Sequence, residues 1–355
     1  MNSELVSLRT LIKTPMLLAL PALSELERAM PKAASKWDQR GRQFVLEDLA
    51  HHARFFGTAA LYGNPDLLSD YVDWLKVLMS RLRFKIESLA RSARILDTVS
   101  KGILQDADGQ VFSEYCLLAE KALLQPDSTE NVYTHDPEVS NLYARQYLSS
   151  LLEGKRGYAT ELVQGLADQG KSLIELYDEV FIPSQHKLGY LWHNGKISVV
   201  QEHYVTAATQ AIISSLYSRL FQDASENRPL MFAACAEGEL HELGIRYIAD
   251  YFQASGWNTR YFGSNVPGDD LYNEIIIQKP AVIALSATLA VNIPAVESLV
   301  KKIRKQKDFE PFILLGGHAV STSGKLWQEI GASGSSLKAP EALSLAHKFL
   351  MGKTV

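Results

Sequence analysis

The residues best suited to chemistry stand together in Glu239-Leu240-His241-Glu242-Leu243-Gly244. The stretch offers one imidazole, with a carboxylate two residues ahead that can hold the ring's far nitrogen. Such a carboxylate fixes the tautomer and leaves the other nitrogen for a metal. The stretch contains no serine nucleophile and no glycine-rich phosphate cradle, and Glu237 and Glu242 flank it without marking an acid/base pair. On these six residues alone, a helix-capping or surface histidine is the commoner reading and a metal ligand the sharper one.

The elements that must position this histidine decide between the two. Residues 230–236 form an apolar run that reads as a buried strand, and 243–252 read as an amphipathic helix. The histidine therefore sits on a strand-to-helix loop. Further strands are expected over 257–262, 281–285, 312–315 and, weakly, 332–337, with helices over 241–254, 268–278, 293–305, 322–330 and 340–350. This alternation predicts a parallel, doubly wound sheet. Ligands bind at the carboxyl ends of such strands. Three more loops lie there: Gly263-Ser264-Asn265, Ser286-Ala287-Thr288-Leu289 and Gly316-Gly317-His318. Their glycines admit a ligand close to the backbone, and their small hydroxyls can bond its polar parts.

Upstream the pattern is helical. Helices are expected over 142–152, 160–169, 172–182 and 198–221, the third stopped by Pro183 and the fourth opened by a Ser198/Gln201 capping box. Four helices with short joints suggest a bundle. Before them, helices are expected over 43–62, 67–84, 89–103 and 115–124, with Gln105-Asp-Ala-Asp-Gly109 as a break. Polar, proline-bearing stretches at 125–130 and 223–229 read as linkers. The domains are thus an all-helical domain (1–128), a four-helix bundle (131–222) and a Rossmann-like, flavodoxin-like domain (229–355), an α plus α/β architecture.

Composition narrows the class. Hydrophobic residues make up 46% and charged residues 21% of the 355, which suits packed cores. A net charge of -4 gives no footing for a nucleic-acid binder. Two separated cysteines suit a reducing compartment. No signal peptide is evident, and the apolar run 16–23 is short and holds Pro21, so it spans no membrane. A cytoplasmic protein is expected.

The loops, taken together, resemble the cobalamin-binding domain family, whose pattern is acid-x-His-x-x-Gly, then Ser-x-Leu or Ser-x-Thr, then Gly-Gly. The resemblance implies that His241 is the lower cobalt ligand and Glu239 its carboxylate partner. It places Gly244, Ser286, Thr288 and Leu289 around the cofactor and lets the nucleotide tail pass Gly316 and Gly317. The acid in that family is most often Asp, so Glu239 is a departure. The bundle is similar to the helical module of light-sensing cobalamin proteins, marked by Trp192, nine intervening residues and Glu202-His203. By that resemblance Trp192 caps the upper face, Glu202 accepts from an adenosyl ribose, and His203 becomes the upper cobalt ligand after light.

A helical domain ahead of the bundle resembles the photocobilins, which also hold biliverdin. Arg54, Arg81, Arg83 and Lys85 would then meet its propionates and His51 and His52 its pyrroles; a solvated basic helix face is the equal alternative. Light-dependent repressors of the family carry a winged helix-turn-helix there, and this longer helical segment shows none, so direct DNA binding is not expected. The resulting expectation is a non-enzymatic adenosylcobalamin photoreceptor, a light-dependent homo-oligomer with an unidentified downstream partner. A corrinoid carrier for a methyltransferase, a light-independent cobalamin sensor and a corrin-free flavodoxin-like module remain the rivals.

Overall fold

The computed structural model describes residues 6–126, 131–220 and 228–352. The predicted linkers therefore fall partly outside the described residues, and the single helix expected to reach 221 is instead one that ends at Ser215 and a short one over Tyr217–Leu220. Two compact units emerge. One holds residues up to Asn131 together with Leu289–Pro294 and Thr322–Leu326; the other holds Val132–Thr288, Ala295–Ser321 and the chain from Trp327.

The first unit is built on helices α1 (Leu8–Lys13), α2 (Met16–Ala29), α3 (Gln39–Leu61), α4 (Pro65–Arg81), α5 (Ile86–Ser100) and α6 (Asp106–Leu124). Leu11, Leu18, Leu23, Leu49, Phe56, Leu96 and Phe112 fill its core. The stretch expected to break the chain at 105–109 instead opens α6. Asp106 and Asp108 lie in the first turn, where carboxylates suit the helix dipole, and Asp108 accepts from the Leu8 amide at 2.7 Å. Pro21 lies inside α2 and does not end it. No described helix is long and apolar enough to cross a membrane.

The second unit joins bundle and sheet. Its bundle comprises α7 (Leu142–Leu152), α8 (Arg156–Asp168), α9 (Leu173–Leu176, a π-helical turn Tyr177–Phe181, then Ile182–His193) and α10 (Val199–Ser215). The expected stop at Pro183 is thus corrected. The helix is continuous through the π turn, where the Ile182 amide bonds the Tyr177 carbonyl five residues back; this wider turn accommodates the proline's missing N–H, and the helix runs on to His193. Ser198 caps α10 as expected, accepting from the Gln201 amide at 3.2 Å, while Gln201 Oε1 takes the Ser198 amide at 3.0 Å.

The sheet is parallel in the order β2-β1-β3-β4-β5, with β1 Leu230–Cys235, β2 Asn258–Tyr261, β3 Val282–Ser286, β4 Phe312–Gly316 and β5 Gly334–Ser335. The flavodoxin-like order was expected; β5 is shorter than predicted, and the helix expected over 322–330 is two, His318–Thr322 and Leu326–Ile330. Register sets Cys235 beside Ser286 and Ser286 beside Gly316. The carboxyl ends of the three central strands, and the loops that leave them, therefore meet at one place.

The helix after β1, α11 (Leu243–Ala254), carries the bundle. Ile245, Ile248 and Phe252 share one core with Tyr147, Tyr177, Phe181 and Ile212. A buried polar network crosses the same seam. Asp250 accepts from Tyr177 at 2.6 Å and from Tyr217 at 3.0 Å, and Arg246 donates to Tyr217 at 2.7 Å and to Ser214 at 2.8 Å. Every charge in it has hydrogen-bond partners, as burial demands. The bundle is consequently fixed in orientation over the helix that begins at the His241 loop.

Candidate functional site

The β1–α11 loop is built around one carboxylate. Glu239 has no exposed surface. Its Oε1 accepts from the His241 backbone at 3.0 Å and lies 2.5 Å from His241 Nδ1, and its Oε2 accepts from the Thr288 amide at 2.7 Å. A buried carboxylate is tolerable because three N–H groups converge on it. With Nδ1 engaged, Nε2 is the nitrogen free to ligate. The ring is not sunk in the protein: the His241 side chain is 59% exposed. A metal held there would carry its other ligands with it, since this loop supplies a single nitrogen.

The glutamate that departs from the usual aspartate has a visible purpose here. It ties the His241 ring and the β3–loop amide with one side chain. The hydrogen bond from Glu239 raises the proton affinity of His241 above the usual 6.5; burial opposes this, and the charges of Glu239 and Glu202 add to it. A raised histidine pKa means that protonation stabilises the fold fully below pH 6.5, and that this contribution is lost as pH rises through the folded-state value. An NMR titration of the His241 ring is therefore expected to have its midpoint above 6.5 and to move down in Glu239→Gln. A parent midpoint at or below 6.5 would contradict the pairing.

Two further supports are residues that the sequence places beside the site without giving them this role. Asn265, in the left-handed region at φ 50°, accepts from the Gly238 amide at 2.8 Å and donates its own amide to the Glu239 carbonyl at 2.8 Å. Asparagine adopts that conformation more readily than most residues. Glu242 accepts from Tyr261 at 2.9 Å and is bonded by Gln210 of α10, which connects the bundle to the residue next to His241.

The glycine loop lies alongside. Gly317 has φ 98°, and a Cβ there would stand 2.3 Å from the Ala287 carbonyl oxygen. Backbone thus packs on backbone between the β3 and β4 loops, a cradle only glycine can form. Ser286 is buried at the carboxyl end of β3 and Thr288 half-buried; Leu289 is 39% exposed. Gly244 is exposed with open space beside it, so nothing steric demands glycine there.

On the bundle side, Trp192 is half-buried in the last turn of α9, and Glu202 and His203 occupy the first turns of α10. Glu202 Oε2 lies 2.5 Å from His203 Nδ1, and Oε1 accepts from Thr206 at 2.8 Å. Two turns further along the same helix, Gln210 bonds Glu242 beside His241, so α10 runs against the loop.

The basic residues of the first unit are placed differently. His51 is exposed, while His52 is buried, its Nδ1 2.7 Å from the Tyr71 hydroxyl and its Nε2 3.2 Å from Asp48. Arg54 is half-buried on α3, its Nε without a hydrogen bond among the described residues, and burial lowers its pKa. Arg81 ends α4, and Arg83 and Lys85 are exposed in the turn before α5. Phe55, Tyr71 and Trp74 stack nearby, Phe55 on Tyr71 at 4.0 Å between ring centres.

A family model described as B12 binding domain matches residues 229–344, and a second model of that description matches 143–217. The chain is similar to the methanol–corrinoid protein of Methanosarcina barkeri, 22% identical over 247 residues that cover 69% of this chain and 92% of that protein. It is also similar to the HTH-type transcriptional repressor CarH of Myxococcus xanthus, 24% identical over 166 residues, 46% of this chain and 54% of the repressor. The solved monomethylamine corrinoid protein of Methanosarcina barkeri matches with a TM-score of 0.51 at 19% identity, covering 61% of this chain and 100% of that one. That likeness establishes the fold.

Proposed function

We propose that this chain, a cobalamin-binding protein with B12-binding domains over 143–217 and 229–344, is an adenosylcobalamin light sensor rather than an enzyme. The residues present fit the cofactor. His241 keeps its ring exposed with Nδ1 engaged, and the Gly317 backbone leaves a cradle that a Cβ would fill. His241 would hold the cobalt from below, Ser286, Thr288 and the Gly316-Gly317 loop would take the nucleotide tail, and Trp192 would cover the upper face. When bound, adenosylcobalamin supplies a cobalt–carbon bond that visible light breaks.

The observation that carries the light-sensing reading is that α10 bonds the residue next to His241, through Gln210 and Glu242, while Glu202 on the same helix holds His203. Glu202 can accept from sugar hydroxyls. His203, with Nδ1 on Glu202, keeps Nε2 available on the bundle side. An indole, a carboxylate and an imidazole of the bundle would then meet the upper side of the cofactor, a set suited to enclosing a bulky upper group. Methyl transfer requires an open upper face. Because α10 also bonds Glu242 through Gln210, a change at its first turn is felt at the loop, which gives a two-state element for a ligand to bias. We read the output as a light-dependent change in self-association passed to a partner, in the cytoplasm. In the first unit, the half-buried Arg54 beside stacked aromatic rings supports a biliverdin there, with Arg81, Arg83, Lys85, His51 and His52 as the candidate contacts.

A corrinoid carrier is the second reading, favoured by the length of the likeness to the methanol–corrinoid protein. Absorption spectra and size-exclusion profiles of the protein loaded with adenosylcobalamin, dark and after green light, separate the two. The sensor is expected to change spectrum permanently and to shift in size. A size that stays the same after the cobalt–carbon bond has been broken, with methyl transfer to or from a methyltransferase, would establish the carrier.

A further inference from the structure

We propose that Tyr133 is a positioning residue for the upper face: it braces the Trp192 end of α9 against the Gly316-Gly317 loop and so sets the preference for a cofactor with a bulky upper group. The inference rests on the proposed role of Trp192.

Tyr133 lies in the chain leading to α7, and it touches both the end of α9 and the residue after the Gly316-Gly317 loop. Its hydroxyl is 3.0 Å from Nε2 of His318, the residue after Gly317. Its carbonyl accepts from Asn194 Nδ2 at 3.1 Å, one residue past the end of α9. Its ring centre is 5.4 Å from that of His193, which is buried, and the His193 ring meets Trp192 edge-on at 6.0 Å. Three residues on, Asp136 pairs with Lys187 of α9, so the segment is held along the helix and not only at its tip. The indole is therefore braced through His193 by a ring that is itself pinned to the glycine loop.

The two halves of this contact make different demands. The bond to His318 acts on the loop that receives the tail, a part shared by all cobalamins. The ring contact to His193 acts on Trp192, which meets only what projects from the upper face. A small upper ligand leaves little for the indole to touch, whereas an adenosyl group is pressed against it. Removing the Tyr133 ring should thus cost affinity for the adenosyl form selectively. Removing only its hydroxyl should weaken both forms in equal proportion.

The test is the ratio of dissociation constants for adenosylcobalamin and hydroxocobalamin, measured in the dark on the full chain by absorption titration. Tyr133→Phe is expected to keep the parent ratio. Tyr133→Ala is expected to shift it against the adenosyl form by about tenfold, the worth of an aromatic contact of this kind. Should Tyr133→Ala fold poorly, Tyr133→Leu keeps apolar volume without a ring and carries the same expectation. A parent-like ratio in the ringless variants would overturn the inference while leaving Trp192 its role. A parent protein that does not prefer the adenosyl form would instead remove the reading of Trp192 on which the inference stands.

Discussion

Gly317→Ala is expected to destabilise the sheet-bearing unit by about 2–5 kcal/mol, the sum of about 1–2 for a left-handed alanine and about 1–3 for overpacking. The atoms in the way belong to backbone: a Cβ at 317 would stand 2.3 Å from the Ala287 carbonyl oxygen, 2.5 Å from its carbon and 2.9 Å from its nitrogen. No side chain can swing aside. Ala287 cannot retreat cheaply either, because its amide is bonded to the Gly316 carbonyl at 3.0 Å and Ser286 beside it is paired in the sheet. The strain falls on the loop proposed to pass the nucleotide tail, so cobalamin binding should weaken along with stability. Urea unfolding and an absorption titration check both effects. A variant within about 0.5 kcal/mol of the parent, the range of neutral surface changes, would show that the two loops do not pack as described.

Glu239→Gln is expected to weaken cobalamin binding by about 10–100-fold, the usual effect of losing the partner that orients a metal-ligating histidine. Glutamine keeps one acceptor where glutamate has two. Glu239 Oε1 serves the His241 amide and ring, and Oε2 serves the Thr288 amide. Whichever way the amide turns, its NH2 faces another N–H in a buried place. That conflict adds about 1–3 kcal/mol of destabilisation. Glu239→Asp tests the other half of the arrangement. It retains the charge but is one methylene too short to span both partners, so the shorter carboxylate should keep either the ring or Thr288. Binding at the parent affinity in both variants would mean that Glu239 does not orient His241.

Much of this site was legible because its signals are local. A buried strand, a loop with Glu239 and His241, and an amphipathic helix follow one another within 25 residues. The carboxyl ends of β1, β3 and β4 meet because parallel order forces them to. What stayed hidden depends on residues far apart in the chain. Asn265 gave a hint, as a polar residue beside a glycine, but its grip on Gly238 is a contact 27 residues away. Tyr133 and His318 are 185 residues apart, and although His318 closes the Gly316-Gly317 loop, nothing near Tyr133 in the sequence points to it. Pro183 reads as a stop because local rules say so; the π turn that absorbs it is sustained by Tyr177 and Asp178, which bond Asp250 and Tyr247 across the seam. The opening of α6 was misread because Asp106 and Asp108 serve a turn and a helix start equally well, and the bond from Leu8 settles which.

The measurement that bears most directly on His241 is electron paramagnetic resonance of the protein loaded with the cobalt(II) form of cobalamin. A nitrogen on the cobalt axis splits each cobalt line, into three for nitrogen-14 and into two for nitrogen-15. Protein grown with nitrogen-15 histidine and given unlabelled cobalamin is expected to show pairs, and His241→Ala made the same way should lose them. Triplets in the labelled parent, the mark of the cofactor's own base still in place, would contradict ligation by the protein.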